Sequence, residues 1–176
     1  MTEWTESENL RKHMLAVESA MRWYARKFGE DEQKWAVVGL LHDMDYEKHP
    51  TKEEHPYVAV KYLEEQGVSE EITRAILAHA EYTGVQAESQ MEKTLLAVDE
   101  LCGFVTACAY VRPNSNMMAM KVKTVKKKMK HPGTYNANPL SAAAALACLE
   151  IVATGEPCDQ ADAVAARLRA ALNDLF

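Results

Sequence analysis

Apolar residues recur along most of this chain at steps of three and four, the period of a helix with one buried face. Between Ser7 and Phe28 the stripe is Leu10, Met14, Val17, Met21, Tyr24 and Phe28, with Gly29 as a stop. This predicts a long amphipathic first helix. His13 falls on that stripe, away from Arg11, Lys12 and Glu18; taken alone, such a residue is most often a core histidine bonded to a backbone carbonyl. The next segment has a different character. From Asp31 to His42 the residues Trp35, Ala36, Val37, Val38, Leu40 and Leu41 leave scarcely any polar face, and a helix apolar all round belongs in the middle of a domain. Its last turn delivers His42-Asp43. Ionisable groups carried into an interior are normally paired, hydrogen-bonded or coordinated to a cation.

Lys48-His49-Pro50-Thr51 breaks the pattern into a loop. A new helix is expected at His55-Pro56, because Pro is favoured in the first turn; His55 then reads equally as a solvent-facing cap residue or as a ligand. Val58, Tyr62 and Leu63 are expected to face inward, and Gly67 to end the helix. Ser69 opens the next one, where Ile72, Ala75, Ile76 and His79 share a face before Tyr82-Thr83-Gly84. Met91 to Val111 reads as a long helix ended by Arg112-Pro113, with Leu95, Leu96, Cys102 and Gly103 flanking Asp99 at steps of three and four. Asp is seldom buried without a partner, so Asp99 is the most telling residue outside the His42-Asp43 pair. Over 117–130, Met118, Val122, Val125 and Met129 make one face and Lys121, Lys123, Lys126, Lys127, Lys128 and Lys130 the other. Ala-rich helices are expected from Asn138-Pro139 to Gly155 and from Asp159 to Leu175. With no alternating strand and no internal repeat, the fold expected is all-α: a compact multi-helix domain over 1–130, carrying an Ala-rich helical pair over 131–176 packed on the same domain.

At 176 residues and 48% hydrophobic, the chain suits one domain with a sizeable core. A formal charge of -6 argues against a nucleic-acid surface spread over the molecule. Within that acidic balance, six lysines in ten residues are either a solvated helix face or a rim that draws in anions. Cys102, Cys108, Cys148 and Cys158 lack C-x-x-C spacing, which suggests reduced thiols in a cytoplasmic protein rather than a zinc ribbon. The polar start MTEWTESENLRKH does not read as a secretory signal, and no apolar run approaches the roughly 20 residues needed to span a membrane.

His13, His42, Asp43 and Asp99 thus stand near the inner faces of different helices. Two nitrogens and two oxygens, with solvent in the remaining positions, suit a divalent cation: Mn, Fe, Co, Ni, Zn or Mg. His55 and His79 can build a second site beside the first. Asp43 would be the natural bridge, since a carboxylate has two oxygens to share and an imidazole one lone pair.

The combination of LLHDMDYE, EHPYVAVKYL, AILAHAEYTG and LLAVDELCGF, in this order on predicted helices, resembles the HD superfamily of metal-dependent phosphohydrolases over roughly Leu10 to Arg112. The resemblance implies that His13, His42, Asp43 and Asp99 are the primary metal ligands. It matches His55 to the family's HP-type histidine and His79 to the first histidine of its HHE-type segment, with Ala80 departing at the second position, so that one ion or two are implied. Met44-Asp45-Tyr46 also replaces a lysine common after the doublet. The implied chemistry is hydrolysis of a phosphate ester of a small anionic molecule, a nucleotide or a phosphate monoester, by a metal-activated water. Asp43, Asp45, Glu47 and Glu81 are then candidates for orienting ligands or moving protons, and Lys48 and Arg112 for contacting substrate phosphate. The alternatives are a non-catalytic regulatory or binding module of the same fold, and a diiron oxygenase of that fold. The tail from Ala142 to Phe176 is free to cap the cleft, cover apolar surface or form a homo-oligomer.

Overall fold

The computed structural model describes residues 3–110 and 121–129, and among them every regular element is helical. Helix α1 (Glu8–Phe28) is opened by Ser7, whose side chain accepts from the Leu10 amide, and closed by Gly29 at φ 74°. Only a residue without Cβ adopts that left-handed cap at no steric cost. Helix α2 (Glu32–Leu41) starts at Asp31, whose carboxylate accepts from the Gln33 and Lys34 amides. The short connection makes α1 and α2 neighbours that pack along their lengths. Their closest approach is at Gly39: a Cβ there would stand 2.9 Å from the Glu18 Cα and 3.0 Å from its amide nitrogen.

That approach corrects the reading of Glu18 as a polar-face residue. It is 7% exposed, covered by α2, and its carboxylate takes two hydrogen bonds from the Arg22 guanidinium at 2.9 and 2.7 Å. A buried charge survives because its partner comes with it.

Helices α3 (Tyr57–Glu65), α4 (Glu70–Ala78) and α5 (Gln90–Tyr110) complete the scaffold, with a short 3-10 turn (Glu81–Thr83) after α4. Two apolar clusters form. Val17, Met21, Trp35, Val38, Leu95 and Val98 belong to the first, and Met14, Met44, Ala59, Leu63 and Ile76 to the second. Each such side chain contributes about 1.5–3 kcal/mol on burial. Helix α2 lies where the clusters meet, since Val38 belongs to one and Leu41 packs against the other. The His42-Asp43 pair therefore emerges at the seam between them.

Two expected core positions are corrected. Tyr62 is 37% exposed and packs on Trp4, ring centroids 4.9 Å apart, because the register of α3 turns Ala59, Val60 and Leu63 inward instead. Phe28, at the end of its stripe, is 40% exposed, although it stacks on Tyr24. Helix α6 (Val122–Met129) seats Val125 in the interior against α5 and leaves Lys123, Lys127 and Lys128 exposed. Its Lys128 bears on the Cys108 end of α5, roughly 14 Å along the axis from Asp99. Arg112, Met118, Lys130 and the expected C-terminal helical pair lie outside the described residues. No described helix is long and apolar enough to cross a membrane.

Gly39→Ala should destabilise the protein by about 1–3 kcal/mol, because the added methyl meets helix backbone that cannot swing aside. Chemical denaturation of the two proteins measures it.

Candidate metal centre

Six side chains converge at the seam. Helix α1 carries His13 and α5 carries Asp99; His42 and His79 are the cap residues closing α2 and α4. Asp43 follows on the turn after α2, and His55 precedes α3 across a cis peptide to Pro56. The imidazoles form an arc, with centroid spacings of 5.4 Å from His13 to His42, 5.3 Å from His42 to His79 and 5.2 Å from His79 to His55.

Asp43 stands at the focus of the arc. Its Oδ2 lies 3.5 Å from His42 Nε2 and 3.8 Å from His13 Nε2. Its Oδ1 lies 3.4 Å from His55 Nε2 and 3.5 Å from His79 Nε2. Asp99 Oδ1 closes the first set, 2.9 Å from His13 Nε2 and 3.5 Å from His42 Nε2. Two atoms bound to one cation at about 2.1 Å are about 3.0 Å apart at a right angle and about 3.4 Å apart at a tetrahedral one. The separations observed are those of coordination-shell edges. Accordingly, two groups can each hold a divalent cation: His13, His42, Asp43 and Asp99, and Asp43, His55 and His79.

The imidazoles are oriented from behind. His42 Nδ1 donates to the Gly39 carbonyl at 2.8 Å, His79 Nδ1 to the Ile76 carbonyl, and His55 Nδ1 to Asp45 Oδ1 at 2.7 Å. Each Nε2 is left with a free lone pair facing Asp43, the arrangement that holds a metal-binding histidine in one tautomer. His42 is wholly buried, and among the described residues its Nε2 is the buried side-chain polar atom without a hydrogen-bond partner. The carboxylates 3.5 Å away are charge neighbours, too distant to bond well. A buried orphan of this kind calls for an occupant, and its neighbours call for a positive one.

The electrostatics agree. Burial would depress the His42 pKa, but the Asp43 and Asp99 carboxylates raise it to about 9. Burial would raise Asp43, but His42 and His79 bring it down to about 2. Asp99, desolvated too, is held well below the usual carboxylate range by His13 and His42. Without a cation, a proton on the imidazoles offsets the two carboxylates.

The remaining candidates separate. Asp45 is fully buried, and its oxygens accept from His55 Nδ1 and, at 2.8 Å, from the Ala59 amide. It aims His55. Glu47 is spent elsewhere: its Oε2 accepts from the Glu6 and Ser7 amides at 2.8 and 2.9 Å, at the start of α1. Lys48 is turned to the Glu3 carbonyl. Both expectations, of chemistry at Glu47 and of phosphate contact at Lys48, give way to ties that fasten the N-terminal segment over the turn. Thr5 adds a third, donating to the Met44 carbonyl at 3.1 Å. Arg112 is outside the described residues. Glu81 is exposed; partial burial, Asp99 and Glu81 together raise the carboxyl pKa of Glu100, so Glu100 lies within electrostatic reach of Asp99. His55, 3% exposed, is no solvent-facing cap, and His13 bonds a carboxylate rather than a carbonyl. His49 pairs with Glu54 near the surface. Asp45, a candidate for orienting ligands, takes that part at His55, whereas the Gly39 and Ile76 carbonyls as acceptors had no signal in the chain.

A helical scaffold whose helix ends bring imidazoles and carboxylates to one point defines a class of metal-binding α-domain. Residues 10–102 match the HD domain family, and the chain belongs to that family. It is also 31% identical over 98 residues to Ribonuclease Y of Oleidesulfovibrio alaskensis, an alignment covering 55% of this chain and 18% of that protein. The match thus spans less than a fifth of the relative's length. No solved structure matches.

The His42 shift sets a pH dependence. A pKa raised from 6.5 to about 9 means that the folded, metal-free protein binds this proton more tightly than the unfolded chain does. That stabilisation is complete below pH 6.5 and lost as pH rises through about 9; the lowered Asp43 contributes above its ordinary value of 3.8 and is lost as pH falls through about 2. Thermal melts with chelator should therefore show stability declining from pH 6.5 to 9. Saturating Mn2+ should flatten or reverse the decline, because a cation needs the unprotonated imidazole.

Proposed function

We propose that the protein is a metal-dependent phosphohydrolase acting on a phosphate ester of a small molecule, a nucleotide or a phosphate monoester. His13, His42, Asp43 and Asp99 hold one divalent cation (Mn, Fe, Co, Ni, Zn or Mg), and Asp43, His55 and His79 furnish a second position. The observation that carries this reading is the orphaned Nε2 of buried His42 facing two carboxylates. Membership of the HD domain family supports it, as does similarity to a protein that is by name a ribonuclease, since RNA is joined by phosphate esters.

When bound, a divalent cation there lowers the pKa of a coordinated water and polarises a phosphoryl oxygen. The chain's own part is positional. His42, His55 and His79 each spend Nδ1 on an internal acceptor and keep Nε2 for the centre. Asp43 and Asp99 supply the negative charge that offsets a cation. His42 closes the back of the site at 0% side-chain exposure, whereas His13, Asp43 and Asp99 are 20, 16 and 23% exposed, so the ester enters on their side. Glu81 and Glu100, which interact electrostatically, are candidates to accept or pass a proton there. Asp45 positions His55 and touches no substrate.

Phosphate release from nucleotides and sugar phosphates, with Mn2+ or Co2+ added, tests the reading. Activity on at least one compound is expected, and Asp43→Ala should reduce it more than about 100-fold. Cation bound without turnover would favour a regulatory or binding module; iron retained through purification with a near-ultraviolet charge-transfer band would favour the diiron oxygenase.

Asp45→Asn should weaken the weaker of two calorimetric binding steps for Mn2+ by about 10–100-fold, the cost of losing the carboxylate behind a metal-binding histidine. The other step, at the His13 and Asp99 side, should be spared. A single unaffected step would count against a second cation position.

A further inference from the structure

The packing of α1 against α2 continues past the end of α2. Gly39 meets Glu18, and about one turn further on His13 Nε2 stands 3.8 Å from Asp43 Oδ2. Beyond that pair, the segment before α1 lies over the turn after the doublet. Glu47 Oε2 accepts from the Glu6 and Ser7 amides at 2.8 and 2.9 Å, Lys48 Nζ donates to the Glu3 carbonyl, and buried Thr5 donates to the Met44 carbonyl at 3.1 Å. Trp4 packs on Tyr62 and against the second apolar cluster. His13 and Asp43 are thus held between a backbone contact on one side and this clasp on the other.

The two restraints differ in kind. At Gly39 the approach is against helix backbone and has no slack, whereas the clasp depends on polar bonds made by exposed Glu47 and Lys48 near the start of the chain. Helix starts leave amides unpaired, and chain ends fray. His42, His55 and His79 are each braced from behind through Nδ1. His13 takes its bond through Nε2 instead, to Asp99 at 2.9 Å, so the helix that carries it sets its place. It is the sixth residue of α1, roughly 9 Å along the axis from Ser7, and what fixes Ser7 limits how far His13 can swing from Asp43. Its 3.8 Å separation from Asp43 is already wider than the 3.4 to 3.5 Å of the other imidazoles. A carboxylate suits the task, because the start of a helix carries partial positive charge.

We propose that Glu47 is a positioning residue for the cation: by clasping the segment before α1 to the turn after the doublet, it holds His13 within coordinating reach of Asp43. This rests on the cation of the phosphohydrolase reading and not on hydrolysis. Thr5 shares the task from the interior. Cation binding and closure of the clasp are then linked, and each strengthens the other.

The test is calorimetric titration of the full chain with Mn2+. In the step that Asp45→Asn spares, Glu47→Ala should raise the dissociation constant about three- to tenfold, less than the roughly 10–100-fold of a group bonded directly to a metal-binding histidine. Thr5→Val should act in the same direction, and Glu47→Gln, whose side-chain carbonyl can still accept from both amides, should recover most of the affinity. Asp31→Ala is the control. It removes a carboxylate of the same kind from the start of α2, at the end of that helix remote from His42, and should lower the melting temperature while leaving Mn2+ affinity unchanged. By reciprocity, saturating Mn2+ should slow amide exchange over residues 3–9 of the unaltered protein at least about threefold, read by mass spectrometry. Unchanged Mn2+ affinity in both Glu47→Ala and Thr5→Val overturns the proposal, as does equal weakening in Asp31→Ala or exchange over residues 3–9 that does not respond to Mn2+. No Mn2+ bound by the unaltered protein removes the cation and the clasp together. The expected losses of Mn2+ affinity with no phosphate released from any ester leave the clasp standing and remove the phosphohydrolase reading.

Discussion

The structure depends on one electrostatic constraint: two carboxylates and a buried imidazole lone pair share one largely desolvated pocket. Asp43 and Asp99 stand 3.5 Å from a His42 nitrogen that has no hydrogen bond. Like charges in a desolvated pocket repel strongly unless a positive charge lies among them. A proton offsets part of that charge, and a divalent cation offsets more while engaging several lone pairs at once.

The scaffold meets this constraint with the ends of helices. His42 and His79 are both cap residues, and each donates Nδ1 to the carbonyl three positions before it, Gly39 and Ile76. One bond does two jobs: it satisfies a carbonyl that the end of a helix leaves unpaired and it turns Nε2 toward Asp43. The C-termini of α2 and α4 also bring partial negative charge to the centre, which favours a cation there. His55 has no helix end to lean on, and buried Asp45 serves instead.

Function follows from what is left open. The inner wall is tightly packed, with Gly39 against the α1 backbone and Val38 fully buried, while the His13 and Asp99 side admits solvent. Around His55, the Tyr46 ring packs edge-to-face on the imidazole and Tyr82 donates to the His55 carbonyl, and both tyrosines are partly exposed. The charged floor at Asp43 and Asp99 is what membership of the HD domain family leads one to expect. Lys128 of α6 bears on Cys108, toward the far end of α5.

The described helices, their order and five of the six converging residues were legible in the chain, because a 3.6-residue period is a local property and His13, His42, Asp43 and His79 each sat on or closed an apolar stripe. Asp99 was legible for the same reason, through its apolar neighbours on α5. Tertiary structure alone decided how the carboxylates after the doublet were used. Asp45 and Glu47 are two residues apart on one turn and look alike in sequence, yet one is sealed inside against His55 and the other caps α1 from the surface. Which backbone passes each carboxylate is set by the packing of segments up to forty residues away. A period along the chain carries no information about that, because the desolvation that gives a charged group its role exists only after the helices have closed around it.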